Sequence, residues 1–165
     1  MIAALRLLIL TGARLSEVLT LKWDWIDFDN SCIRLPDPKT GAKTIYFSPQ
    51  ARQVLTSLPR YEDNPHVICG LKRGSCLVNL QKPWRRIRKR AGLDNVRIHD
   101  LRHSFASIAV ASGMSLPMIG KLLGHSQPQT TARYAHLSDD PLKFAANQIG
   151  EKIDIFPATT KTKQT

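Results

Sequence analysis

The 165-residue sequence predicts a mainly helical α+β domain with one small antiparallel sheet near its start. Three observations predict it. Apolar residues recur at helical spacing in most segments, and glycines such as Gly92, Gly113 and Gly124 close them. A pair of short β-rich runs, Cys32–Leu35 and Thr44–Phe47, flanks a polar stretch with Thr40-Gly41 at its tip. Apolar residues make up 42% of the chain, enough at this length for one domain with a real core.

The elements follow in order. Residues 2–10 are apolar and helical; Arg6 interrupts them and no basic segment precedes them. They are too short to span a membrane and make a poor signal peptide. They read as a helix joined part-way along, so Met1 is expected to be an artificial start and the first helix truncated. Thr11-Gly12-Ala13 is a turn, and a short helix runs through Leu15, Val18 and Leu19. Residues 23–28 alternate as a strand. Ser48-Pro49 opens a helix, a cap followed by proline in the first turn, which ends before Pro59. Leu80, Trp84, Ile87 and Ala91 recur at helical spacing, so they form the buried stripe of a helix with a cationic outer face. A helix runs from about His99 to Ser112. Ser115 caps the next, which Gly124 ends. Pro128 opens a helix carrying Tyr134, and Asp140-Pro141 opens the last, ending near Gly150. Ile153, Ile155 and Phe156 make an apolar patch, and residues 158–165 are polar and expected to be disordered. The domain is therefore expected at 1–152, with 153–165 as a tail.

Lys plus Arg is 24 against 13 Asp plus Glu, a net charge of +11. That balance points to a polyanionic partner, nucleic acid first. Residues 64–93 hold no acidic side chain and eight basic ones. Lys82, Arg85, Arg86, Lys89 and Arg90 are the candidate phosphate contacts. Trp84 fits core packing better than base stacking. Cys32, Cys69 and Cys76 are odd in number and form no C-x-x-C pair, against a disulfide framework or a zinc site. They read as reduced thiols of a cytosolic protein.

Four runs carry chemistry: Thr11-Gly12-Ala13-Arg14-Leu15-Ser16-Glu17, His99-Asp100-Leu101-Arg102-His103, Leu123-Gly124-His125 and Ala132-Arg133-Tyr134. His99, Arg102, His103 and Ala106 share one helix face; Leu101, Phe105 and Ile108 share the opposite one, the expected core stripe. His99 and Arg102 can then point into one cleft. A left-handed Gly124 would place His125 in a loop just past a helix end. Tyr134 follows nine positions later. Guanidinium forks match phosphate oxygens and stay charged, and a phenol can attack phosphorus. Glu17, one helical turn past Arg14, either orients it or is a plain surface carboxylate.

This set of motifs, in this order, resembles the tyrosine recombinases, the phage integrase family, from about Leu5 to about Leu137. The resemblance implies that family's catalytic-domain fold, related to the catalytic domain of type IB topoisomerases. It implies site-specific DNA recombination or integration, with Tyr134 attacking phosphorus to leave a 3′-phosphotyrosyl link and a free 5′-hydroxyl. Arg14, Arg102 and His125 would stabilise charge on the phosphate, and His99 would take the phenolic proton. The hairpin resembles one that carries a mobile catalytic lysine in the family. Lys39 fits best as the acid, and Lys43 competes. The link conserves bond energy, so no metal, ATP or other cofactor is implied. The implied partners are double-stranded DNA and further copies in a tetrameric synapse, with a monomer expected for the isolated domain and no membrane. The implied location is the cytoplasm, from a bacterial or phage gene. The family's separate amino-terminal DNA-binding domain has no counterpart in these residues, so weak DNA binding and little complete recombination are expected. Residues 149–156 are expected to pack on their own domain or dock on a neighbour. A relaxing type IB topoisomerase and a non-catalytic DNA-binding module compete; a metal-dependent nickase is disfavoured, as no His-x-His pair occurs.

Overall fold

The structure, a computed structural model, describes residues 1–36, 42–125 and 127–135, and also 146, 149 and 150. Helix α1 (Ile2–Thr11) buries Ala4, Leu7, Leu8 and Thr11, the i, i+3, i+4, i+7 row of one face. It packs against α3 (Pro49–Thr56) and α5 (Asp100–Ala111). Gly12 ends α1 at φ 63°, its N–H donating to Leu8 O at 3.0 Å. A Cβ there would sit 2.6 Å from Phe105 Cδ1 and 2.9 Å from Leu123 Cδ2. Only glycine allows both that angle and that close approach.

Helix α2 (Leu15–Leu19) follows as expected. The expected strand over 23–28 is much shorter. Trp23–Trp25 form a 3-10 turn, and β1 is only Ile26–Asp27. The reason is local: the Trp23 N–H donates to Pro65 O at 3.0 Å, tying this end to a loop rather than to the sheet. β1 pairs antiparallel with β2 (Cys32–Leu35), which pairs antiparallel with β3 (Lys43–Tyr46), giving the order β1-β2-β3. Strand β3 starts one residue before the expected Thr44. The hairpin tip 37–41, with Lys39 and Thr40-Gly41, lies outside the described residues. Ser48 Oγ accepts from the Ala51 N–H at 3.4 Å, capping α3 as its sequence suggests.

Helix α4 spans Gln81–Arg90, α6 Leu116–Leu123 and α7 Pro128–Ala132. Three expectations about these helices fail. In α4, Leu80 and Trp84 are buried, but Ile87 and Ala91 are exposed. The inner row continues instead through Arg88, which shares the Val96 carbonyl with Trp84 Nε1. In α5, the buried row is Arg102, Ala106, Ala109 and Val110, and Ile108 is 62% exposed. Leu101 and Phe105 of the expected stripe are half-buried against the clusters, but Arg102 joins the buried row because it finds its acceptors inside the protein. Finally, α7 stops at Ala132, so Tyr134 lies in the turn beyond it. Ser115 precedes α6 without a side-chain capping bond; Pro117 in the first turn sets the helical φ there. The expected helix from Asp140, the patch at 153–156 and the polar tail fall mostly or wholly outside the described residues.

Two buried clusters result. The larger joins α1, the sheet, α3, Leu80, Trp84 and Ile98. The smaller consists of Ala106, Ala109, Val110, Ile119, Leu123 and Tyr134. Gly12, Arg102 and Leu123 lie where the two meet. All three described cysteines are free thiols. No helix among the described residues is long and apolar enough to cross a membrane.

Candidate active site

Gly124 ends α6 at φ 66°, a left-handed turn that reverses the chain. The turn aims three successive residues at one place. Leu123 O accepts from Arg102 Nη2 at 2.7 Å, Gly124 O accepts from Arg14 Nη2 at 3.4 Å, and His125 follows. Arg102 Nη1 donates to Gly12 O at 2.5 Å, the carbonyl at the end of α1. Two helix C-termini thus present carbonyls to one guanidinium, the favourable end of each dipole for a cation.

Arg102 is only 5% exposed. Burial lowers its pKa first, then the charge of Arg14, while Glu17 and Tyr134 act the other way. Arg102 nonetheless stays charged, as arginine does in proteins. Among the described residues it is in no ion pair. A buried cation held only by neutral carbonyls is costly unless an anion joins it. Beside it opens a cavity of about 490 Å³ lined by His99, Arg97, Arg88, Gln81, Arg102 and the apolar Leu8, Ala13, Leu15 and Ile98.

Glu17 organises the other arginine. Its Oε2 accepts from the Arg14 N–H at 2.7 Å, and its Oε1 from Arg14 Nη1 at 2.9 Å. The reading of Glu17 as an orienting group therefore describes its position; the plain surface carboxylate does not. Lys43 Nζ donates to the same Oε1 at 2.7 Å, with its side chain 16% exposed. Burial raises the Glu17 pKa, but the hydrogen bonds from Lys43 and Arg14 outweigh it and hold the carboxyl below its ordinary value. Burial pulls Lys43 down against the pull of Glu17. The Glu17 carboxyl is ionised at neutral pH.

Gly124 also makes room for that lysine. A Cβ on Gly124 would meet the Lys43 side chain, with Cδ and Nζ each at 3.1 Å. Gly124→Ala is expected to lower stability by about 1–3 kcal/mol, from left-handed strain and overpacking. It should also displace Lys43 from Glu17. A thermal melt checks the first effect; a melt equal to that of the parent chain would show that the turn tolerates a side chain.

His125 Nδ1 lies 2.8 Å from Thr131 Oγ1. Burial, then the charges of Arg102, Arg14, Lys43 and Arg133, pull its pKa down to about 4. The imidazole is neutral at pH 7. In the tautomer whose Nδ1 accepts the Thr131 hydroxyl, Nε2 carries the hydrogen and can donate to an anion. Tyr134 is 6% exposed, and burial raises its pKa, so the phenol is protonated. Its hydroxyl meets His103 Nδ1 at 2.5 Å, not His99. His99 stacks edge-on against His103 and lines the cavity.

The structure thus gathers Arg14, Glu17, Lys43, Arg102 and His125 around the Gly124 turn. Tyr134 lies within electrostatic reach of Arg102, and His103 lies against its hydroxyl. Lys39 lies outside the described residues. Lys82, Arg85, Arg86, Lys89 and Arg90 are exposed on α4, away from the buried row. Sequence reasoning missed Arg88 and Arg97, which line the cavity. The i+4 spacing of Arg88 from Trp84 and i+8 from Leu80 was the available signal. Among the described residues no cluster of His, Cys, Asp and Glu could hold a metal ion.

Comparison with known proteins gives one consistent result. The model of the phage integrase family matches residues 2–140. Tyrosine recombinase XerA of Saccharolobus solfataricus is 32% identical over 140 residues, covering 84% of this chain and 46% of the relative. XerH recombinase bound to a palindromic difH substrate, in a post-cleavage complex, superposes with TM-score 0.68 and 26% identity over 88% of this chain and 44% of that one. The catalytic domain of bacteriophage HP1 integrase gives TM-score 0.66 and 25% identity, covering 92% of this chain and 83% of that one. The chain spans about half the length of the curated relatives it matches.

Proposed function

The chain belongs to the phage integrase family, and on that basis we propose that it is the strand-cleaving and rejoining part of a site-specific DNA recombinase. The observation that carries this reading is the pair of arginines hung on successive carbonyls, Leu123 O and Gly124 O, one of them buried and, among the described residues, paired with no carboxylate. Such a site is complete only with an anion, and a phosphodiester supplies one of the right charge and geometry.

In this reading a phosphodiester of double-stranded DNA enters the cavity beside Arg102. Arg14, Arg102 and the Nε2 hydrogen of His125 donate to its non-bridging oxygens. Preorganised donors of this kind act most on the charge that develops in the transition state. Tyr134 attacks phosphorus, the bond to the 5′-oxygen breaks, and a 3′-phosphotyrosyl link remains. The 5′-oxygen leaves with a proton from an acid, and Lys39 is the group proposed for it. Rejoining to a different 5′-hydroxyl exchanges strands. The energy of the broken bond is kept in the link, so the step requires neither ATP nor a metal. The exposed cations of α4 grip the backbone without regard to sequence, which makes binding fall steeply with salt. Strand exchange between two duplexes needs several copies on DNA, and four is the number proposed.

The test is incubation with a nicked suicide duplex followed by a denaturing gel. A covalent adduct is expected; its absence under all salt conditions that permit binding would end this reading.

The two hairpin lysines separate by leaving group. Lys43 is fixed on Glu17 and packed under Gly124, so it acts through Arg14 rather than on the leaving oxygen. Lys39→Ala is expected to slow cleavage by roughly 10²–10⁴ and to recover on DNA carrying a bridging 5′-sulfur, which leaves without a proton. Lys43→Ala should slow cleavage without that recovery. Recovery by Lys43→Ala instead would reverse the two roles.

A further inference from the structure

The hydroxyl of Tyr134 makes one side-chain hydrogen bond among the described residues, to His103 Nδ1 at 2.5 Å. His103 lies one residue past Arg102, on the flank of α5 that faces the turn after α7. His99, the other histidine of this run, stands behind it, with ring centroids 4.8 Å apart and planes at 89°. The phenol thus meets His103, which in turn meets His99, and His99 lines the cavity.

We propose that His103, and not His99, takes the phenolic proton when Tyr134 attacks phosphorus. This rests on the transesterification reading above and names its base. The O–H bond of Tyr134 breaks as the O–P bond forms, and the proton moves to His103 Nδ1. In the reverse step the departing phenolate takes the same proton back. No further reactant is needed.

The surroundings suit both directions. His103 is faced by His99 and Asp100 on its own helix, by Arg97 just before it, and by Tyr134 and Arg133 from the segment after α7. Burial lowers its pKa first, then the charges of His99 and Arg133, with Arg97 adding to them and Asp100 opposing. The imidazole is thus neutral at pH 7 and able to accept. Once protonated, it is held by Asp100 against Arg133 and Arg97, so it returns the proton readily.

Two measurements test this. The first needs no DNA. In the ¹⁵N spectrum of the intact chain at neutral pH, His103 is expected with Nδ1 bare and the hydrogen on Nε2. A hydrogen on Nδ1 would make the imidazole a donor to the phenol and overturn the proposal. The second is single-turnover cleavage of the suicide duplex. His103→Ala should slow adduct formation by about 10²–10⁴, the usual worth of a general base. Free imidazole should restore part of the rate, and the fall in rate at acid pH should vanish. His103→Gln, which fills the site, guards against a folding effect and should be slow without imidazole rescue. His99→Ala should keep the acid fall. A His103→Ala enzyme at the parental rate, or faster, would show that the contact merely restrains the tyrosine. If the parent chain forms no adduct, the recombinase reading fails, while the tautomer still decides which partner donates.

Discussion

Replacing Tyr134 with phenylalanine is expected to abolish covalent attachment to a nicked duplex while leaving the fold and DNA affinity nearly unchanged. The substitution removes one oxygen. The ring stays, and the ring is what the small cluster of α5 and α6 needs, since Tyr134 is one of six buried members there among the described residues. The lost hydrogen bond to His103 is worth about 0.5–1.5 kcal/mol net. Tyr134→Ala is the contrasting case. It empties the cluster and should cost about 3–5 kcal/mol, as removal of a buried aromatic ring usually does. Comparing the two variants by thermal melt and by gel separates the chemical role of the hydroxyl from the packing role of the ring. A covalent adduct formed by Tyr134→Phe would mean that another side chain is the nucleophile.

Much of the fold was legible because local rules dominate it. Glycines at left-handed positions end α1 and α6 where the sequence says, and Ser48-Pro49 opens α3. The hairpin strands are as read, to within a residue. The failures share one cause. Helical periodicity identifies a buried row by its apolar members, but here two buried rows contain arginines. Arg88 continues the row of Leu80 and Trp84, and Arg102 begins the row of Ala106, Ala109 and Val110. Each arginine is admitted because backbone carbonyls from elsewhere in the chain accept from it, and no sequence pattern reveals those carbonyls.

The site was legible as a set of residues and less so as an arrangement. Arg14, Arg102 and His125 meet where the motifs imply. The relation of Tyr134 to the histidines does not follow from motif order, because it depends on where α7 stops. Ending at Ala132, that helix leaves Tyr134 in a turn against His103. Similarly, nothing in Lys39-Thr40-Gly41-Ala42-Lys43 says which lysine is committed. It takes the packing of β3 beneath Gly124 to fix Lys43 on Glu17.

Arg102 should show the sharpest conflict between stability and activity. Arg102→Ala and Arg102→Lys are both expected to lose cleavage, with alanine the worse. Loss of one preorganised donor to a developing oxyanion typically costs about 10²–10³ in rate. An ammonium cannot reproduce a fork that reaches Gly12 O and Leu123 O together while facing a phosphate. Stability should behave differently. Removing the guanidinium leaves two buried carbonyls without donors, at about 1–3 kcal/mol each. It also removes a buried charge that no carboxylate among the described residues pairs with, whose desolvation cost is of the order of several kcal/mol. The two effects oppose, so Arg102→Met, which keeps the volume, should melt close to the parent chain, or above it, while cleaving no faster than Arg102→Ala. Phosphate-rich buffer should raise the melting temperature of the parent and not of Arg102→Met, because only the parent has an unneutralised cation to fill. A methionine variant that melts far below the parent would show that the carbonyl contacts outweigh the buried charge, and that Arg102 is held in place as much for the fold as for phosphate.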